Sequence, residues 1–182
     1  MRLFIAVPLP PEIRAGLASL QGGLPNVRWT EPENMHITLR FVGETGGGGG
    51  RDLDAELASV QFAPFELSMT GIGCFQKRRK VHTLWAGVES SPELSALQER
   101  VERATIRAGF DPEGRKFKPH VTLARFRHGA GAQVGGFMEV HNAYRSPPFT
   151  VDHITLFESH LSHDGPRYVS LTEYTATLPE AN

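Results

Sequence analysis

One order of elements occurs twice in this chain. In the first pass "LFIAV" (Leu3 to Val7) is a short apolar run stopped by "PLPPE", whose prolines end a strand and open a helix. "EIRAGLASLQ" then spaces Ile13, Leu17 and Leu20 at helical intervals until Gly22 and Gly23 end it. "NVRW", a "TEPEN" turn and the strand "MHITLRFVG" follow. In the second pass "TLWAGV" (Thr83 to Val88) leads to "ESSPE", with Ser91 as helix cap and Pro92 at the first helical position. "ELSALQERVERATIRAG" sets Leu94, Leu97, Val101, Ala104 and Ala108 on one face, with Gly109 as the stop. After "FDPEGRKFKP" comes "HVTLARF".

The offsets are steady: Ala6 to Ala86 is 80, Glu12 to Glu93 is 81 and His36 to His120 is 84. Repeats of this size pack about a pseudo-twofold axis, which brings equivalent residues together. The fold expected is therefore α+β and bilobal: two antiparallel β-sheet lobes with outer helices, related by a pseudo-twofold around a central cleft, within a single domain over 1–182. A third strand, "HITL" at His153, is spelled like the strand at His36. No amphipathic helix is expected before it, only a glycine-rich link and Pro147-Pro148, so His153 and Thr155 are read as bystanders. "GETGGGGGRD" is expected to be a flexible tip without chemistry, with a short helix over "RDLDAELASV" after it. The C-terminal part offers two strands, "FTVDHITLFES" and "RYVSLTEYTATL", joined by "HLSHDGP".

Net charge is −1, which excludes a protein that grips long nucleic acid by bulk charge and leaves a nucleic-acid end or a short fragment. The single cysteine, Cys74, excludes an internal disulfide framework and suits a reducing interior. The N-terminal apolar run is short and cut by prolines, reading as a strand and not a signal peptide, so no membrane association and a cytoplasmic location are expected.

Along a strand, residues i and i+2 share a face. His36, Thr38 and Arg40 therefore share one, with Ile37, Leu39 and Phe41 opposite as core; His120 and Thr122 share one, with Val121 and Leu123 opposite. If the repeat packs as expected, two imidazoles and two hydroxyls converge on one cleft. An imidazole titrates near pH ~6.5, so one can act as base while its partner acts as acid. Threonine hydroxyls donate to phosphate oxygens without adding charge. Together they suit in-line hydrolysis of a phosphodiester with no metal or other cofactor. Metal binding is the rival use of two histidines, but these motifs supply no carboxylate or cysteine at ligand spacing.

"RLFIAVPLPPEI", "VRWTEPENMHITLRFVGE", "LWAGV" and "FDPEGRKFKPHVTLARF" closely resemble the bacterial and archaeal RNA 2′,3′-cyclic phosphodiesterases. These belong to the two-histidine (2H) phosphoesterase superfamily and were once called 2′-5′ RNA ligases. The resemblance covers nearly the whole chain. It implies a bilobal fold and opening of a 2′,3′-cyclic phosphate at an RNA 3′ end to a 2′-phosphate, with 2′-5′ ligation as the reverse chemistry of the same site. It further implies His36 as proton donor, His120 as proton acceptor, and Thr38 and Thr122 as phosphate ligands; by residue pattern alone, donor and acceptor exchange freely. Arg125 matches a family arginine that contacts phosphate. Alternation sets Arg125 opposite His120, so that role needs the strand to end or twist there. The partners expected are RNA 3′ ends or nucleotides bearing a 2′,3′-cyclic phosphate, met by a monomer.

Of the remaining candidates, the "QKRRK" loop reads equally as a steering patch or a solvated turn, as do Arg115, Lys116 and Lys118. Trp29 and Trp85 read as core before they read as base-stacking surfaces, with Phe75 beside Trp85. His82, His128, His141, His160 and His163 read as surface or loop residues.

Overall fold

The helix expected to start at Ser91 and Pro92 does so: the Ser91 hydroxyl accepts the Leu94 amide at 3.1 Å, and the helix runs Pro92–Arg107. Its face is the expected one, with Leu94, Leu97, Val101 and Ala104 buried. The computed structural model describes residues 1–131 and 133–178. In chain order the elements are β1 (Arg2–Pro8), α1 (Pro11–Ala18), β2 (Arg28–Trp29), β3 (His36–Glu44), α2 (Gly47–Ala58), β4 (Phe65–Leu67) and β5 (Met69–Lys77). There follow β6 (Lys80–Val88), α3 (Pro92–Arg107), β7 (His120–Ala130), α4 (Gln133–His141), β8 (Phe149–Val151), β9 (His153–Ser162) and β10 (Gly165–Thr175).

The chain is α+β, with antiparallel sheets. One four-stranded sheet has the order β10-β9-β1-β3 and the other β2-β7-β6-β5, while β4 and β8 form a small third sheet. The two H-x-T strands each lie next to the strand that opens their half of the sequence. β1 lies between β9 and the His36 strand, and β6 lies between β5 and the His120 strand. β1 is buried over five consecutive residues, Leu3 to Val7, because both its faces are covered. Leu3, Ile5 and Val7 enter the main core with Ile13 and Leu17 of α1 and Leu53 and Leu57 of α2. Phe4 points the other way, stacked near His36 and Phe157. Ala86, Leu97, Val121 and Leu123 belong to the same core cluster, so the two sheets share one interior.

Two local expectations are corrected. The glycine run is not a loose tip, since Gly47 to Gly50 form the first turn of α2. The helix extends back over them because Leu53 and Leu57 anchor it in the core and Gly50 is buried against Met1, where a Cβ would meet Met1 Cε at 2.8 Å. A helix also precedes the His153 strand. In α4 Val134 and Phe137 are buried and Phe137 packs 5.9 Å from Trp29, contacts that offset the low helix preference of Gly135 and Gly136. No helix among the described residues is long and apolar enough to cross a membrane.

Candidate active site

The two H-x-T strands carry the same irregularity at the same place. In the β1–β3 ladder Ile5 faces Arg40 and Ala6 faces Thr38, leaving Leu39 without a partner. In the β6–β7 ladder Leu84 faces Ala124 and Trp85 faces Thr122, leaving Leu123 without one. Each is a β-bulge three residues after the histidine, and a bulge reverses the in–out alternation beyond it.

The reversal decides what lines the cleft. A cavity of about 490 Å³ is bounded by His36, Thr38 and Phe41 from β3 and by His120, Thr122 and Arg125 from β7. That volume suits a nucleotide-sized ligand. Arg125 thus joins the face of His120, the local change of strand direction that its phosphate role required. Arg40 and Phe41 are corrected for the same reason. Arg40 does not share the face of His36; it is 8% exposed, with Glu102 at 2.6 Å and Glu113 at 3.5 Å. Phe41 is not core but 40% exposed, at the cleft wall.

The bulged residues have their own ties. The Leu123 carbonyl accepts the Thr30 amide at 2.9 Å and the Gln21 side-chain amide at 3.1 Å. The Leu39 carbonyl accepts the Gln98 side-chain amide at 3.5 Å. Gln21 follows α1 and Gln98 lies within α3, and each reaches the bulge of the other half's H-x-T strand. Sequence reasoning passed over both, although "LASLQ" ending at Gln21 and "LSALQ" ending at Gln98 repeat each other.

Both imidazoles are held alike. His36 Nδ1 is 2.7 Å from the Asn34 carbonyl, and His120 Nδ1 is 2.7 Å from the Lys118 carbonyl, each two residues upstream. A carbonyl only accepts, so each neutral ring carries its proton on Nδ1 and keeps an unprotonated Nε2 for the cleft. Burial is the main force on both titrations. It drives His36 down to about 4, with the charges of His120 and Arg125 pushing the same way and the Asn34 carbonyl resisting. His120 is also lowered, chiefly by burial, with Arg125 and Lys118 adding to it and the Lys118 carbonyl opposing. Without an anion the site therefore holds two neutral imidazoles near pH 7.

The walls differ in character. His36 lies 4.9 Å from the Phe4 ring and 5.2 Å edge-on from Tyr168, while Phe41 stacks beside Phe4 at 6.1 Å. His120 sits 4.9 Å edge-on from Phe75 and 6.0 Å from Trp85, behind which Lys118 Nζ lies over the Trp85 ring at 4.9 Å. Trp85 is half-buried, outside both core clusters and outside the cleft lining, so neither the core nor the base-stacking reading holds for it. Trp29 corrects the core reading too, since it is half-buried and lines the cleft together with Arg28, Thr30 and Glu31.

The other candidates fall outside. Arg78 and Arg79 form the exposed β5–β6 turn, with φ of 51° and 64°, and do not line the cleft. Arg115 pairs with Glu113 at 3.2 Å. His153 bonds the Asp152 carboxylate at 2.6 Å and Thr155 is 1% exposed; neither lines the cleft. His163 is on the β9–β10 turn, whereas His82, His128 and His160 lie on strands and His141 ends α4. No group of three or more His, Cys, Asp or Glu among the described residues is arranged to hold a metal ion.

The description of the 2′-5′ RNA ligase superfamily matches residues 9–162. A protein of Aeropyrum pernix named RNA 2′,3′-cyclic phosphodiesterase is 35% identical over 157 residues, covering 85% of this chain and 88% of its own. One of the same name from Archaeoglobus fulgidus is 31% identical over 174 residues, covering 94% and 98%. Among solved structures, one described as a phosphoesterase has a TM-score of 0.80 at 25% identity, covering 97% of this chain and 98% of the other. E. coli LigT complexed with 3′-AMP has a TM-score of 0.78 at 25% identity, with the same coverage, 97% and 98%.

Proposed function

The chain belongs to the 2′-5′ RNA ligase superfamily, and on that premise we propose that it hydrolyses the 2′,3′-cyclic phosphodiester at an RNA 3′ end to a 2′-phosphomonoester, without a metal, by paired-histidine catalysis. The observation that carries this reading is the matched tethering of His36 and His120. Each Nδ1 is committed to a backbone carbonyl at 2.7 Å, leaving two Nε2 atoms for one cleft.

A cyclic phosphodiester enters as an anion between two neutral imidazoles. Its charge favours a proton on one of them and thereby prepares the acid that the empty site lacks. The other removes a proton from water as the water oxygen bonds to phosphorus; the P–O3′ bond breaks and the acid protonates the departing 3′ oxygen. Thr38 and Thr122 donate to the non-bridging oxygens, and Arg125 balances the charge that grows on them.

The character of the walls supports one assignment of the two roles. The departing oxygen stays on the ribose, so the acid stands on the nucleoside's side. Three rings of the cleft lining, Phe4, Phe41 and Tyr168, lie about His36, against Trp29 alone on the β7 side, where the cation Arg125 stands with His120. His36 is therefore the donor and His120 the acceptor. With a ribose 5′-hydroxyl in place of water the same step forms a 2′-5′ linkage, and the yields of joined and hydrolysed product from cleaved RNA separate the two outcomes. The single cysteine favours a cytoplasmic setting.

The test is hydrolysis of a 2′,3′-cyclic nucleotide in EDTA-treated buffer. His36→Ala and His120→Ala are each expected to lower kcat by about 10²–10⁴-fold while the circular dichroism spectrum is kept. Full activity in either variant, or dependence of the wild type on added metal, refutes the reading.

A further inference from the structure

Arg125 has a neighbour that the reaction at the cyclic phosphate does not use. In the β2–β7 ladder Arg28 stands directly opposite Arg125, and both line the cleft. Like charges at directly opposed positions of an antiparallel pair destabilise it unless something neutralises them. Neither arginine has a carboxylate within ion-pair distance among the described residues, although Glu31 and Asp164 also line the cleft.

The place of Arg28 is specific. β2 is the edge strand of its sheet, so Arg28 lies one strand further out than Arg125. Its guanidinium crosses to the opposite sheet and rests on the β9–β10 turn, where a Cβ on Gly165 would meet Arg28 Nη2 at 2.4 Å. Gly165 has a φ of 127°, so glycine is favoured there by backbone and by space together. Next to it the Asn34 side chain donates to the Pro166 carbonyl at 3.0 Å, tying the same turn to the segment before His36. The guanidinium is thus held against the turn of the sheet that carries His36. Arg125 by contrast lies close enough to act on the titrations of His36, His120 and Tyr168.

Two cations without a carboxylate partner among the described residues thus line one cleft, Arg125 on the His120 strand and Arg28 against the β9–β10 turn. We propose that Arg28 binds a second phosphate, the one on the 5′ oxygen of the terminal ribose, so that the end of an RNA chain is preferred over a free cyclic nucleotide. This rests on the proposed reaction and adds the substrate's preferred length, two nucleotides or more.

The same chemistry is offered by an internucleotide phosphate and by a terminal 5′-phosphate, so three substrates are compared. They are adenosine 2′,3′-cyclic phosphate, its 5′-phosphorylated form, and the dinucleotide ApA ending in a 2′,3′-cyclic phosphate. The wild type is expected to favour the dinucleotide over the plain nucleotide by about tenfold in kcat/KM, the scale of one hydrogen-bonded charge. In Arg28→Ala that ratio should fall to about one, and in the wild type it should shrink as salt is raised. A wild-type ratio near one, or a ratio unchanged in Arg28→Ala, overturns the proposal. Preference for the 5′-phosphorylated nucleotide without preference for the dinucleotide overturns the RNA-chain assignment. Hydrolysis of none of the three instead refutes the reaction itself.

Discussion

Replacing Arg40 with alanine asks whether this side chain serves the core or the cleft. Unbroken alternation from His36 puts the guanidinium beside the imidazole; the bulge at Leu39 turns it inward. There it lies 2.6 Å from Glu102 and 3.5 Å from Glu113, and it donates to the carbonyls of Phe41 at 2.9 Å and of Asp111. The close approach of Nε to Glu102 Oε2 lacks hydrogen-bond alignment, so it counts as a pair of charges more than a directed bond. Removing the guanidinium leaves Glu102, 18% exposed, with a buried oxygen and no counter-charge. Breaking a buried pair from one side costs about 3–5 kcal/mol. Water reaches Glu113, 28% exposed, and relieves part of that, which favours the lower end. At about 2–4 °C per kcal/mol for a chain of this size, a loss of about 3 kcal/mol lowers the thermal midpoint by roughly 6–12 °C. Calorimetry reads the midpoint, and hydrolysis of a cyclic nucleotide well below it reads the site. The expected result is the fall in midpoint with kcat/KM within about threefold of wild type, since no general acid or base is touched. An unchanged midpoint, or a loss of activity on the 10²-fold scale of a missing catalytic group without loss of stability, refutes the inward orientation.

Further predictions concern the histidines. An unfolded imidazole takes its proton near pH ~6.5. His36 takes it at about 4 in the folded chain. Between those values the unfolded chain binds the extra proton, so stability falls as pH drops through that window, and His36→Asn should make the fall shallower in denaturant titrations. In NMR titrations the apo His36 ring should stay neutral at pH 5, and inorganic phosphate should raise its midpoint; a ring already protonated at pH 6 contradicts the burial argument. His153→Ala should leave cyclic-nucleotide hydrolysis within about twofold of wild type, because its ring bonds Asp152 outside the cleft. A tenfold loss would bring the third H-x-T strand into the chemistry.

The elements of the repeat were legible because their signals are local. The Ser91 cap, the spacing of Leu94, Leu97 and Val101, and the prolines after β1 each act within a turn or two of chain. Arg40, Phe41 and Arg125 were not, because their orientation depends on a bulge, and a bulge belongs to a pair of strands. Nothing within "HITLRF" or "HVTLARF" marks the fourth residue as the one the ladder skips. The glycine-rich first turn of α2 and the whole of α4 were missed for a related reason: Gly50 against Met1 and Phe137 against Trp29 are contacts between distant segments that outweigh weak local preference.

The bulges also explain how two like H-x-T strands yield a site with a direction. Position for position, His36 answers to His120, Thr38 to Thr122 and Leu39 to Leu123, and each bulged carbonyl is held by the glutamine of the opposite half, Gln98 or Gln21. Up to that point the two strands offer a substrate the same groups. Past the bulge, the residue turned into the cleft is Phe41 on one strand and Arg125 on the other. Alternation without the bulges would have brought Arg40 and Ala124 into the cleft instead, a cation beside the His36 side and a methyl beside the His120 side. The single skipped residue therefore sets which strand turns an aromatic ring into the cleft and which a cation. A cyclic nucleotide has the same polarity, with an aromatic base at one end and an anion at the other. In the proposed reaction, two like imidazoles become acid and base because the substrate between them fits one way round.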